Sequence, residues 1–450
     1  MQPEPHETEI PTGRDPYAAF RFANYRRYWI GGFISVMGRQ MLAVAIGWEV
    51  YERTHSATAL GIVGLMGALP IILLSLPAGQ VADRLNRKWI IVFTQTALVL
   101  TSLALAWLAL GHTVSLPVGW AQRALTLTAA WFGEGEGVHF GPEVPLIYGL
   151  LLLNGVARAF GWAARPPFVA GLVPRKALAN AVTWGSSNFE IGSLAGPALG
   201  GLLLAGFGFP VVYALDAACQ LVFIGFLLPT HARQEPPHAK EHPLRDLLGG
   251  LRFVWRTKEI LATITLDLFA VLLGGAVALL PLFAKDILHV GPVGLGWLRA
   301  APAFGALGMA LAITHLPPMR RAGLTLLWAV AGFGVAMTVF GLSHSFWLSL
   351  AALVLSGACD NVSVVVRHTL VQLLTPDSMR GRVSAVNNVF IGSSNELGAL
   401  ESGLTAALFG PVASVVGGGI GTVLVVLAAA AIWPQVRKLG PLHRVEAVER

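Results

Sequence analysis

The basic residues of this chain gather on one side of a dozen long apolar runs, and no other feature restricts its fold so severely. The runs cover 28–50, 57–79, 89–111, 146–164, 178–204, 209–230, 260–283, 293–315, 323–341, 346–366, 383–409 and 412–433. Each can cross a hydrocarbon core of ~30 Å at ~1.5 Å per residue. The two tails and every second connection together hold 25 of the 31 Lys and Arg. The other connections hold only Arg53, Arg123 and Lys285, and Arg39, Arg158 and Arg299 lie inside runs. Basic loops remain cytoplasmic. The expectation is therefore an all-α membrane protein with 12 transmembrane helices and both termini cytoplasmic.

Composition excludes the main competitors. Apolar residues make up 55 % before 51 glycines are added, and charged residues only 12 %. A soluble core could not enclose this many apolar segments joined by short loops. The net charge of +7 suits cytoplasmic loops facing anionic headgroups, and no nucleic-acid motif accompanies it. No P-loop is present, so ATP-driven transport by this chain alone is not expected, nor is any cofactor. Cys219 and Cys359 fall inside apolar runs as small hydrophobes rather than a disulfide framework. Residues 1–19 lack the basic-then-apolar pattern of a cleaved signal peptide, which leaves the first run as the insertion signal.

The chain repeats itself. At a shift of 202 positions Gly155 meets Gly357, Arg165 meets Arg367 and Pro174 meets Pro376. The stretch from Gly185 to Gly192 then resembles the stretch from Gly392 to Gly398. Six-plus-six repetition is a secondary-transporter signature. It divides the chain into a cytoplasmic tail 1–27, a six-helix bundle 28–230, a linker 231–259, a second bundle 260–433 and a tail 434–450. The first bundle carries a periplasmic insertion, 112–145. The linker ends as an amphipathic stretch, Leu244 to Arg256, expected to lie as a helix in the cytoplasmic interface.

Two motifs stand out. Gly79, Asp83, Arg84, Arg87 and Lys88 lie on the short cytoplasmic loop between the second and third runs. Gly79 would let the helix end pack closely. Asp83 offers a carboxylate to a helix N-terminus, and the basic residues offer anchors to headgroups. This loop resembles the signature of the major facilitator superfamily. The resemblance implies that Asp83 contacts the eleventh span and helps hold the cytoplasmic side shut. The matching second-half loop, Pro317 to Gly323, keeps the charge and lacks the Asp. In the fifth run, Gly192, Gly196, Pro197, Gly200 and Gly201 combine close helix packing with an invitation to bend. That element resembles the motif of proton-antiporting exporters in the same superfamily.

Charges at membrane depth are candidate functional groups. Arg158 and Asp360 are repeat-related and could pair across the pseudo-two-fold axis, or each could be satisfied within its own half. Glu190 and Glu396 are the repeat-related carboxylates of the fifth and eleventh runs. Arg39, Gln40 and Asp267 complete the set. A proton-coupled carrier needs a carboxylate that titrates, and burial moves carboxylates toward that range; Asp267 and Glu190 lead. Glu49 reads as interfacial, Asp216 and Glu401 as peripheral, and Arg299 as a neutraliser of a carboxylate. The insertion holds Trp120, Trp131, Phe132, Glu134, Glu136, His139, Phe140 and Glu143. Its aromatics suit an interfacial flap, and its spacing does not suit a metal.

Further stretches resemble the branch that includes the enterobactin exporter and the transmembrane secretion effectors. They are Phe22 to Trp29, Trp48 to Tyr51, Leu172 to Arg175 and Gly250 to Phe253. The resemblance implies the major facilitator fold in a bacterial inner membrane. It implies proton-coupled export of an amphipathic small molecule, a siderophore or a drug-like compound, by a monomer. The expected partners are that substrate, protons and membrane lipids. An importer or facilitated-diffusion carrier of the same fold is the alternative. A membrane receptor or membrane-embedded enzyme stands further off, because no Ser/His or metal constellation supports it.

Overall fold

The computed structural model describes residues 15–112, 118–134, 138, 140–233, 243–315 and 321–440, and every regular element among them is helical. Lipid imposes this, since a spanning segment must satisfy its own backbone polar groups. A short turn of helix at Ala18–Arg21 leads into α1 (Ala23–Thr54), α2 (Ala57–Arg84), α3 (Arg87–Ala109), α4 (Gly119–Trp131), α5 (Glu143–Ala170) and α6 (Arg175–Leu227). Then follow α7 (Pro243–Arg256), α8 (Lys258–Leu273), the single turn α9 (Leu280–Leu282) and a wide turn, Phe283–Ile287. The rest is α10 (Gly291–His315), α11 (Ala322–Leu342), α12 (Phe346–Leu374), α13 (Asp377–Phe409), α14 (Pro411–Ile432) and α15 (Pro434–Lys438).

Ten of the described helical segments are long and apolar enough to cross a membrane. The difference from twelve has two sources. The 53-residue α6 covers two apolar runs, and α13 is not among the ten. α13 carries Asp377, Arg380, Arg382, Glu396 and Glu401, which lower its apolar character. Inside α6 the helix breaks at Gly208, where φ is +77°. The residue 202 positions later, Gly410, has φ +87° and separates α13 from α14. Positive φ is cheap only for glycine, and Pro210 and Pro411 follow the two breaks. The repeat-related Pro174 and Pro376 hold the N-cap positions of α6 and α13. Gly155 presses onto α2 beside Pro70, and Gly357 presses onto α10 beside Pro302. Repeated sequence thus does repeated work.

Packing differs between the two ends. One apolar cluster joins both halves of the sequence, with Val44, Leu60 and Tyr213 from the first half and Leu280, Phe283, Leu295 and Phe340 from the second. A second cluster draws only on residues from Leu251 onward. A third draws only on residues between Ala18 and Ala232. The molecule therefore has a shared core at the end that holds Thr54 and Gly291. It has two separate cores at the end that holds Arg84 and Leu374. On α7 the outer face exposes Arg252 and Arg256 together with Trp255, while Val254 is buried. Gly250 lies directly against the Arg382 carbonyl of α13. Of the loop Pro317 to Gly323, residues through Arg320 lie outside the described set.

Candidate functional site

Two helix pairs close the shared end, α2 on α13 and α6 on α10. Glycines let their backbones touch. A Cβ on Gly201 would sit 2.5 Å from the Pro292 carbonyl oxygen and 3.0 Å from the Gly296 Cα. A Cβ on Gly403 would sit 2.5 Å from the Gly61 Cα. Polar contacts span the same end. The Tyr51 hydroxyl donates to Asp286, and the Lys285 ammonium lies 5.9 Å from the centre of the Trp48 ring.

The opposite end is not closed in this way. Among the described residues no hydrogen bond or ion pair engages Asp83, and a Cβ on Gly79 would meet nothing within 4 Å. The close packing expected of Gly79 is therefore not made, although Ala78 and Ala82 on either side of it are buried. Arg87 donates to the Ala82 carbonyl at 3.3 Å. Lys88 donates to the Leu228 carbonyl at 2.5 Å, at the C-terminal end of α6, where a cation opposes the helix dipole. Arg84 is exposed.

The glycine-proline element is sandwiched between two helices. Gly192, Gly196 and Gly200 fall on one face and meet Val36, Gln40 and Met41 of α1. Gly201 and the Pro197 carbonyl meet Gly296 of α10. Gln40 donates to the Ser193 hydroxyl at 2.7 Å and ties the same two helices together.

Near the middle of three helices, charges from both halves meet. Arg158 of α5 places Nη2 3.9 Å from Glu396 Oε1 of α13. Gly67 of α2 lies beside both, since a Cβ there would be 3.6 Å from Glu396 Oε2 and 3.8 Å from Arg158 Nη1. Arg299 of α10 is a second cation acting on Glu396, and it donates to the Ala43 carbonyl of α1 at 3.4 Å. In this state Arg158 pairs with Glu396 and not with its repeat-related partner Asp360. Asp360 of α12 and Glu190 of α6 are both half-buried. Arg39 of α1 is half-buried near Arg158, Arg165 and Asp216.

Three carboxylates differ from expectation. Asp267 forms a buried ion pair with Arg367, whose side chain is 3 % exposed. Sequence placed Arg367 in a loop, yet it lies within α12. Its position near a span end invited the loop reading, and its partner is distant in sequence. Asp216, read as peripheral, is 1 % exposed. It accepts from the Ser102 hydroxyl at 2.6 Å and from Gln220 Nε2 at 2.8 Å. Glu49, read as interfacial, is 2 % exposed and accepts from Arg53 and from the Tyr213 hydroxyl. Hydrogen bonds make such burial tolerable, and a single sequence does not display them. In the insertion Glu134 is bonded, as described below, whereas Glu136 and His139 lie outside the described residues. Among the described residues no group of three or more His, Cys, Asp or Glu is placed to hold a metal ion.

What the arrangement can do chemically follows from the Arg158–Glu396 contact. The Glu396 carboxylate beside the Arg158 guanidinium links α5 and α13 while ionised, and its protonation removes the charge that holds them. Comparison with known proteins agrees with this architecture. The family model described as transmembrane secretion effector matches residues 14–134 and 137–442. An enterobactin exporter of Citrobacter koseri is 29 % identical over 415 residues, 92 % of each chain. One of Escherichia coli O1:K1 / APEC is 28 % identical over 402 residues, 89 % of each chain. Among solved structures, a D-xylose-proton symporter superposes with a TM-score of 0.68 at 13 % identity, covering 95 % of this chain and 99 % of that one. A bacterial homologue of the lysosomal transporter Spinster, inward-facing and occupied, gives 0.66 at 14 % identity, covering 95 % and 98 %. The chain belongs to the transmembrane secretion effector family, a branch of the major facilitator superfamily of transporters.

Proposed function

We propose that this protein exports an amphipathic small molecule from a bacterial cytoplasm by alternating access, in exchange for protons. The observation that carries the reading is the Arg158–Glu396 pair, 3.9 Å apart and joining helices from opposite halves of the sequence beside Gly67. The enterobactin exporters among its relatives make a siderophore the first substrate to offer. The Gly208 break makes two spans of α6, and α13 adds another to the ten, which gives twelve spans in two six-helix bundles. The positive-inside rule then places the shared core at the periplasmic face and both termini in the cytoplasm. On that orientation the described state is closed to the periplasm and open to the cytoplasm, as a loading exporter would be. Asp83 is free to latch when the cytoplasmic side shuts. The working unit is a monomer.

Proton binding to Glu396 would release Arg158 for the substrate or for another carboxylate. The test uses inverted vesicles, a panel of labelled siderophores and drug-like compounds, and an imposed pH gradient. Glu396→Gln mimics the protonated side chain permanently. It should abolish gradient-driven uptake while exchange of substrate for substrate continues. Undiminished coupling in that variant would remove Glu396 as the proton carrier. Transport by the parent that ignores the gradient would remove proton coupling altogether.

A further inference from the structure

Residues 119–131 form a helix with two unlike faces. At ~100° per residue, Trp120, Ala124, Leu127 and Trp131 of α4 fall on one stripe. Trp120 is 76 %, Leu127 71 % and Trp131 86 % exposed, and Ala124 is also exposed. The opposite face is occupied. Ala129 is buried in the shared core, Leu125 packs against it, and Gln122 donates to the Phe140 carbonyl at 3.1 Å. Leu100, Leu103 and Trp107 of the preceding helix α3, and Leu110 just past its end, are exposed as well. Tryptophan favours the headgroup level. Arg123, exposed at the edge of the stripe, suits a lipid phosphate.

The end of α4 is tied to the start of α2. Gly133, at φ +81°, turns the chain so that Glu134 reaches the start of α2. One carboxylate oxygen accepts from the backbone N–H of Ala57 at 2.7 Å and of Thr58 at 3.1 Å. The other accepts from the Ser56 hydroxyl at 2.5 Å. These amides lack intrahelical partners, and the positive end of the dipole favours the carboxylate. α2 is one of the helices that close the shared end, against Leu400 and Gly403 of α13.

We infer that α4 lies in the headgroup layer of the outer leaflet, with lipid as its partner, and that Glu134 makes it an anchor for the closing helix α2. Only the choice of leaflet rests on the orientation proposed above. The test is a nitroxide attached to Leu127→Cys, with Cys219 and Cys359 replaced, in reconstituted vesicles. Oxygen should collide with this label several-fold more often than a water-soluble nickel chelate does. The reverse ratio, or dipolar broadening between labels on two copies, would overturn lipid as the partner. Glu134→Ala should leave the label in lipid and raise hydrogen exchange at Ala57 and Thr58 by about fivefold, the effect of a lost helix cap. Unchanged exchange would overturn the anchor. In intact cells Arg27→Cys should resist an impermeant thiol reagent, and its labelling would overturn the outer-leaflet assignment.

Discussion

Arg367 and Asp267 show how a membrane-embedded pair hides from a sequence. Each taken alone looks like a candidate for function, one a loop cation and the other a proton carrier. Together they form a buried pair in which each neutralises the other. Removing one partner leaves a bare charge in low dielectric, which costs about 3–5 kcal/mol. Arg367→Ala should therefore lower the unfolding midpoint in detergent sharply. The double variant Asp267→Leu/Arg367→Met should recover most of the loss, because an apolar replacement removes both desolvation penalties. A single variant as stable as the parent would mean that the pair does not form. Asp216 and Glu49 hide for a related reason. Their partners lie on other helices, so the composition around each position gives no hint of Ser102, Gln220 or Tyr213. The Arg158–Glu396 contact is partly legible: both residues stand out as costly at membrane depth, but their pairing joins helices far apart in sequence.

At the scale of elements, local chemistry fixes most of what a reader of the chain can know. Apolar length placed the spans, and the repeat placed their equivalents. The repeat also holds a signal that is faint in the sequence alone. Gly208 and Gly410 stand 202 positions apart, and both bend the chain through positive φ just before a proline-bearing helix start. Glycine is so common in this chain that a matching pair carries little weight until φ is known. The fifth-span motif was easier to see, and its physical role is close packing on two sides at once. Its weakest tolerance is at Gly201, where any side chain meets the Pro292 carbonyl and the Gly296 backbone. Gly201→Leu should force α6 from α10 and open the shared end. A cysteine replacing Leu298, which is 0 % exposed in the parent, should then become reactive toward an impermeant maleimide. A silent Leu298→Cys in the Gly201→Leu background would show that the contact does not govern closure.

The whole molecule is asymmetric between its ends, and on the alternating-access reading proposed above this asymmetry belongs to a cycle rather than to the fold. A shared core at one end and two separate cores at the other cannot both persist while a substrate crosses. Alternating access requires the α2–α13 and α6–α10 contacts to break in the other state. Nothing in the shared core forbids this, since it is held by backbone contacts at glycine, a few polar bonds and apolar area rather than by covalent links. A covalent link should therefore stop the cycle while leaving the open side able to bind. Gly64 and Ala399 suit it, because a Cβ on Gly64 would lie 2.6 Å from the Ala399 Cβ, and a small separation of α2 from α13 gives the ~3.8 Å of a disulfide. With Cys219 and Cys359 replaced, Gly64→Cys/Ala399→Cys should form the bond under mild oxidation and lose transport, and reductant should restore it. Substrate binding from the open end should survive oxidation, because the charges around Arg158 remain reachable from that side. Continued transport by the oxidised protein would mean that the described end never opens, and the alternating-access reading would fall with it.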